Sequence, residues 1–298
     1  MSPINAGYVY AILGAIAFSG KGILIKLSYL HKVDAMTLIM YRMLFSLPFF
    51  LCMAIYAERR ARRQGHCLSK KDILGVMVLG FIGYYFSSYL DFLGLQFISV
   101  SLERLILYLN PTMVLLLGWV LYKRKVTPQR FMAMAVSYSG VLLVFGFEVL
   151  SAGPDVLTGS VLVFLSALLY ACYMVFSERM LKKMDSLRLV GWASTVACIC
   201  CIAQFLLLRP IEMMHVDDAV LGYSVMNALF CTVAPILFVM FAIERLGPSL
   251  TSQIGMIGPM STVMMGYWFL NEPIHAVIGL GTLLVMGGVF MVTKLGVK

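Results

Sequence analysis

Ten stretches of this chain are each apolar over a length that spans a hydrocarbon core about 30 Å thick, and little chain remains between them. They fall at 7–28, 35–57, 72–93, 97–121, 129–147, 157–178, 187–208, 219–242, 247–270 and 274–293. Bare backbone N–H and C=O groups are costly in lipid, so each run is expected to satisfy its own as a helix, giving an all-α membrane protein. Composition agrees: 61% of residues are hydrophobic and only 12% charged, well outside the range of a soluble domain. Any activity therefore sits inside the bilayer or at its faces.

No Lys or Arg precedes Lys21 and no small-residue cleavage site follows the first run, so that run is expected to remain as the first crossing. The net charge of +9 would suggest nucleic acid in a soluble protein; here its distribution points elsewhere. With a cytoplasmic N-terminus, the clusters at 59–63, 70–71, 123–130 and 179–188 share one side with Arg245, Lys294 and Lys298, and only Lys26, Lys32 and Arg209 lie at the other. That is the excess of cations expected of cytoplasmic loops, and both termini are then cytoplasmic. The run ERRARRQGHCLSKK would also attract anionic headgroups, but orientation accounts for it without a further role.

The chain repeats itself. LHKVDAMTL at 30–38 and LKKMDSLRL at 181–189 agree at four of nine positions, an offset of 151. SLERLILYLNPTMVLLLG from Ser101 lies over SLTSQIGMIGPMSTVMMG from Ser249, pairing Pro111 with Pro259, Gly118 with Gly266 and, farther on, Gly140 with Gly288. Two halves of five runs, 1–150 and 151–298, follow, and because five is odd the second enters the membrane opposite to the first. Such inverted repeats build two mirrored gates around one midplane site, with broken helices in corresponding positions pointing to it. Pro111 cannot bond to the carbonyl of Leu107, nor Pro259 to that of Gly255, which marks both as helix bends.

The order FSGKGILIK, then MYRMLFSLP opening run 2, then SLERLILYLNPTMVLLL, resembles the EamA-type branch of the drug/metabolite transporter superfamily across nearly the full length. The resemblance implies a cytoplasmic-membrane carrier of small organic metabolites, many of whose relatives export amino acids or related compounds. The acidic residue typical of the family after run 9 is Glu272 in FLNEPIH; the corresponding place after run 4 holds Arg124.

Charges inside the first half are the sharpest functional signal. At a rise of about 1.5 Å per residue, Lys21, Arg42, Asp91, Glu103 and Arg104 fall at matching depth. A lone charge at the centre of a membrane helix costs about 3 kcal/mol on the insertion scale, so three cations and two anions at one level are expected to meet facing inward. Glu103 and Arg104 point about 100° apart and cannot neutralise each other along their own helix. Two polar stripes agree: Tyr84, Ser87, Ser88 and Asp91 on run 3, and Ser166, Tyr170, Tyr173 and Ser177 on run 6. At an offset of 152 the second stripe corresponds to Gly14, Phe18, Lys21 and Ile25, which puts Lys21 on an inward face without any charge argument. On run 4, Glu103, Leu107 and Asn110 share a face, with Arg104, Tyr108 and Pro111 beside it.

The candidate substrate-binding set is Lys21, Arg42, Tyr84, Ser88, Asp91, Glu103, Arg104, Tyr108, Asn110, Tyr170, Tyr173 and Ser252, the last being the repeat counterpart of Arg104. One surplus cation among tyrosines, Tyr85 included, suits a small amphiphilic solute bearing a carboxylate. Asp91 and Glu103 are the candidates for proton coupling, with counter-solute exchange as the other route. An alternative stays open: a helix beginning at Leu102 would put Glu103 and Arg104 at the headgroups, and Arg42 could snorkel outward. A membrane enzyme would need a GxSxG, HExxH or equivalent, and none occurs; nor does a P-loop. A sensor or lipid-binding scaffold would use the charged layer only to specify packing. The seven Cys and four His form no ligand spacing, so neither metal nor other cofactor is expected. Gly140, Gly146, Gly279, Gly281, Gly287 and Gly288 suggest close packing of runs 5 and 10, either inside a monomer or at a homodimer seam.

Overall fold

A computed structural model describes residues 3–65, 68–123, 126–246, 251, 254–255 and 257–296. Among these it is all-helical, without a strand. The long helices are α1 (Pro3–Tyr29), α2 (Ala35–Arg63), α3 (Lys70–Gly94), α4 (Val100–Tyr122), α5 (Pro128–Ala152), α6 (Asp155–Met180), α7 (Ser186–Leu208), α8 (218–246), α9 (Ile257–Leu270) and α10 (Ala276–Gly296). Eight, α1 to α8, are long and apolar enough to cross a membrane among the described residues, and α10 contains a shorter apolar stretch, Ala276–Val292. The outer surface fits that setting: Leu142, Phe131, Leu207 and Trp268 stand exposed, a surface that water would penalise and lipid does not.

Helix starts are set locally. Ser69 and Asp72 form a reciprocal capping box at α3. Ser99 accepts from the Leu102 N–H at α4, and Asp185 from the Arg188 N–H at α7. Helix interruptions are the feature that hydrophobic periodicity did not foretell. Helix α3 passes through a π turn at Phe81–Phe86 and α8 through another at Leu229–Val233, starting 148 residues apart. In α8 the Thr232 hydroxyl donates to the Asn227 carbonyl 2.9 Å away, five residues back. Such turns insert a residue and re-aim the side chains beyond them. Helix α4 breaks at Tyr108–Leu109, so Pro111 lies in the first turn of the second segment rather than inside a continuous helix.

Packing is pairwise. Helix α2 lies along α7 and α5 along α10, while α1 packs on α8 and α9 and α6 packs on α3 and α4. Moving every helix five places along the chain reproduces the same pairs. The α5·α10 seam shows why small residues recur there: a Cβ on Gly140 would sit 2.7 Å from the Gly281 carbonyl, and one on Gly288 would sit 2.6 Å from that of Ala133. Gly146, Gly279 and Gly287 have nothing within 4 Å, so that stripe serves the internal seam only in part.

Candidate functional site

A cavity of about 710 Å³ runs through the middle of the bundle. At one end it reaches Leu181 and Ser186, which are exposed in the α6–α7 connection. At the other it stops against the charged layer. There Lys21 Nζ donates to Asp91 Oδ2 at 2.5 Å and lies 3.1 Å from Glu103 Oε1, all three side chains being buried. Arg42 and Arg104 border the same space; Arg42 lies over the Phe92 ring, 4.7 Å from its centroid, and is an electrostatic neighbour of Lys21 and Asp91. The five charges predicted to share a level do come together.

Of the candidate set, Lys21, Arg42, Tyr84, Ser88, Asp91 and Arg104 line the cavity, as do Tyr108, Asn110, Tyr170 and Tyr173. Glu103 does not. It is 1% exposed and sits behind Lys21, where it acts on that ammonium rather than on the open space. Ser252 lies outside the described residues. Tyr85 packs against Phe81 and the apolar core, away from the cavity. Arg42 and Glu103 are both buried, so their side chains face the protein interior and not its outer surface.

Three cations against two carboxylates leave this layer with one surplus positive charge. Among the described residues no carboxylate forms an ion pair with either guanidinium, and the Nε of Arg42 and of Arg104 are buried without a hydrogen-bond partner. Asp91 Oδ1 and Asn110 Oδ1 are in the same condition. Buried polar groups without partners are expensive, and these four atoms all belong to residues that line the cavity. Arg104 is held at α9 by the lack of a side chain on Gly258, where a Cβ would be 2.8 Å from its Nη2; the Gly258 carbonyl accepts from the Ser19 hydroxyl at 2.9 Å. The bend in α4 resolves differently from the sequence expectation: the Leu107 carbonyl that Pro111 leaves free accepts the Asn110 amide at 2.8 Å. The chain closes that acceptor itself.

Toward the open end the walls become aromatic. Tyr84 sits edge-on to Tyr173, ring centroids 4.8 Å apart, and Tyr170 stacks on Tyr173 at 5.7 Å. Gly83 makes room for this cluster, because a Cβ there would lie 2.3 Å from that of Tyr173. Ser87 bonds the Ser166 carbonyl at 3.1 Å, joining the two predicted polar stripes.

Helix α8 adds four lining residues outside the candidate set, Cys231, Thr232, Ile236 and Val239. They are the counterparts, at an offset of 148, of Gly83, Tyr84, Ser88 and Asp91, which line the opposite wall. Carrying the α3 stripe across by the repeat would have found them. Two carboxylates at the closed end, Glu148 and Glu272, lie outside the candidate set. Glu148 accepts from the Ser99 N–H at 3.3 Å and from the Ser99 hydroxyl, and Glu272 accepts from the Val100 N–H at 3.1 Å. The apolar run 129–147 stopped one residue short of Glu148, and nothing in sequence tied it to α4. Among the described residues no His, Cys, Asp and Glu cluster could hold a metal ion.

Comparison with known proteins gives this geometry a family. The pattern of the EamA-like transporter family matches residues 5–146 and again 157–294. The uncharacterized transporter YcbK of Bacillus subtilis is 27% identical over 96% of this chain and 91% of its own. An uncharacterized transporter of Archaeoglobus fulgidus is 22% identical over 94% of this chain and 95% of its own. A solved crystal structure, 14% identical, superposes with a TM-score of 0.65 over 98% of this chain and 97% of that one; at this identity the likeness concerns the fold alone.

Proposed function

The chain belongs to the EamA-like transporter family, and on that premise we propose that it is a secondary transporter moving a small amphiphilic metabolite with a carboxylate, such as an amino acid or organic acid, by alternating access. The observation that carries this reading is the surplus cation: Arg42 and Arg104, each with a buried Nε that has no hydrogen-bond partner, border a cavity of about 710 Å³. A guanidinium recognises a carboxylate through paired N–H donors, and the tyrosine cluster offers faces for the rest of the solute. Arg42 and Arg104 would take the carboxylate, Asn110 and Ser88 neighbouring polar groups, and Tyr84, Tyr108, Tyr170 and Tyr173 the apolar body. Asp91 and Glu103, sharing Lys21, are the groups placed to exchange a proton; counter-solute exchange would use the same site.

The architecture we infer is ten crossings in two inverted halves, 1–150 and 151–298, in a cytoplasmic membrane with both termini inside. Its support is the double family match, the exchange of packing partners on a five-helix shift and the paired π turns. In this orientation the cavity opens to the cytoplasm, the side from which an exporter loads.

Purified protein screened by thermal shift against amino acids, organic acids and amines should be stabilised by carboxylates, because a ligand that binds only the folded state raises its melting temperature. Uptake of the hits into proteoliposomes under a proton or counter-solute gradient then reads transport directly. Arg104→Gln should abolish both the shift and the flux while leaving unliganded melting close to the parent value. Stabilisation by amines in preference to carboxylates would overturn the charge argument.

A further inference from the structure

The cavity is symmetric in its middle and one-sided at its ends. Phe18 and Tyr170, Lys21 and Tyr173, and Met43 and Ser194 are repeat counterparts at offsets of 152, 152 and 151, and all six line it. Farther out the match stops: Ser177 and Leu189 line the open mouth, but their counterparts Ile25 and Leu38 do not.

Ile25 and Leu38 border instead a separate void of about 10 Å³, on the far side of Arg42, together with Ser28, Tyr223, Ser224 and Asn227. It has room for about one water molecule. The void nonetheless lies among polar groups, for Arg42 Nε and Asn227 Oδ1 are both buried without hydrogen-bond partners. Apart from Phe92 of α3, its lining comes from α1, α2 and α8, the helices five places from α6, α7 and α3 that frame the open mouth.

From this the geometry points to a second, collapsed vestibule: the groove between α1, α2 and α8, lined by Ser28, Ser224 and Asn227, is the route by which a carboxylate solute leaves Arg42 for the face bearing the α1–α2 loop. The inference rests on the reading of two inverted halves that alternate. Polar residues gathered around so small a void are understandable if the groove widens and is wetted in the other state. Opening it means parting contacts that hold α1 and α2 to the α7–α8 connection: Tyr41 hydroxyl to the Met214 carbonyl at 2.5 Å, Arg209 to Asp34 at 3.1 Å and His31 to Asp217 at 2.9 Å. The π turn Leu229–Val233 follows Asn227 by two residues, where α8 would flex.

The experiment uses the full chain with its native cysteines replaced by alanine and a single reporter, Ser224→Cys, in vesicles of each orientation. The probe is a membrane-impermeant sulfonated methanethiosulfonate, and Asn227→Cys serves as a second reporter if the first folds poorly. Slow labelling is expected from the α1–α2 face only, accelerated at least tenfold by Arg209→Gln with Tyr41→Phe. Ser186→Cys at the open mouth, labelled from the opposite face, should slow by a similar factor in the same background. If Ser186→Cys slows while both groove reporters stay sealed, alternation stands and the route is wrong. Should the groove open with Ser186→Cys unchanged, the route stands and alternation fails; if neither changes, or the groove labels only from the α6–α7 face, both fail.

Discussion

At the end of the bundle carrying the α6–α7 connection, Ser177 and Leu189 border open space; at the other end their counterparts Ile25 and Leu38 close on a void the size of a water. Both ends carry an ion pair across α2 and α7. At the open end Arg188 lies 2.7 Å from Glu58 with its side chain 1% exposed, and at the closed end Arg209 lies 3.1 Å from Asp34 with its side chain 37% exposed. What seals one end is therefore not a stronger salt bridge there, because the more buried pair is at the open end. The difference lies deeper, where one half supplies the whole charged layer and the other supplies uncharged residues, Tyr173 standing where Lys21 stands, Ala193 where Arg42 stands and Val239 where Asp91 stands.

That contrast breaks first at Lys21. Lys21→Met leaves Asp91 and Glu103 buried without their ammonium, and removing one partner of a buried ion pair costs about 3–5 kcal/mol. Melting of the purified variant should fall accordingly and transport should be lost. Tyr173→Phe, at the equivalent place, removes a neutral hydroxyl and breaks no ion pair, and should cost at most about 1 kcal/mol. Equal losses for the two would mean that the charged layer does nothing special to the closed end.

The ion pairs at the two ends sharpen the comparison at a smaller scale. Arg188→Gln, at a buried site, should cost about 1.5–3 kcal/mol, in the range of hydrogen bonds to charged groups. Arg209→Gln, at a half-exposed one, should cost about 0.2–1 kcal/mol and lose most of that in high salt. Denaturant titration of both variants at two ionic strengths checks the ranking, and a reversed order would show that burial does not govern them.

Much of this was legible beforehand, and what was not has a physical cause. The long apolar helices and the gathering of the five charges could be read because run length and a rise per residue constrain them, and an ionic side chain in lipid has few places to go. The π turns could not, since inserting one residue leaves an apolar run looking continuous. Nor could the fate of the Leu107 carbonyl, which depends on the rotamer of Asn110. Glu103 was misplaced by one layer: a helical face says which way a residue points, but only the position of Lys21 on another helix decides whether it meets the cavity or backs the residue that does.

The smallest expected effect tests what holds the closed end at its rim. Helix α4 begins there with unpaired N–H groups, and a helix start carries partial positive charge. Glu272 reaches it from the α9–α10 connection, accepting from the Val100 N–H at 3.1 Å and the Ser101 hydroxyl at 3.2 Å, while Glu148 takes the Ser99 N–H at 3.3 Å. Two carboxylates from α5 and the second half thus fasten α4 in place. The counterpart of Glu272 at an offset of 148 is Arg124, a cation that lies outside the described residues, so the repeat does not offer the same carboxylate to α9. Glu272→Gln keeps an acceptor but removes the charge, which should lower stability by about 0.3–1 kcal/mol. Hydrogen exchange is the sharper measurement: the amides of Val100 and Ser101 should exchange severalfold faster in Glu272→Gln, with those of α6 and α7 unchanged. Unaltered exchange at Val100 would show that the charge is not what fastens α4, leaving the difference between the two ends to the buried layer alone.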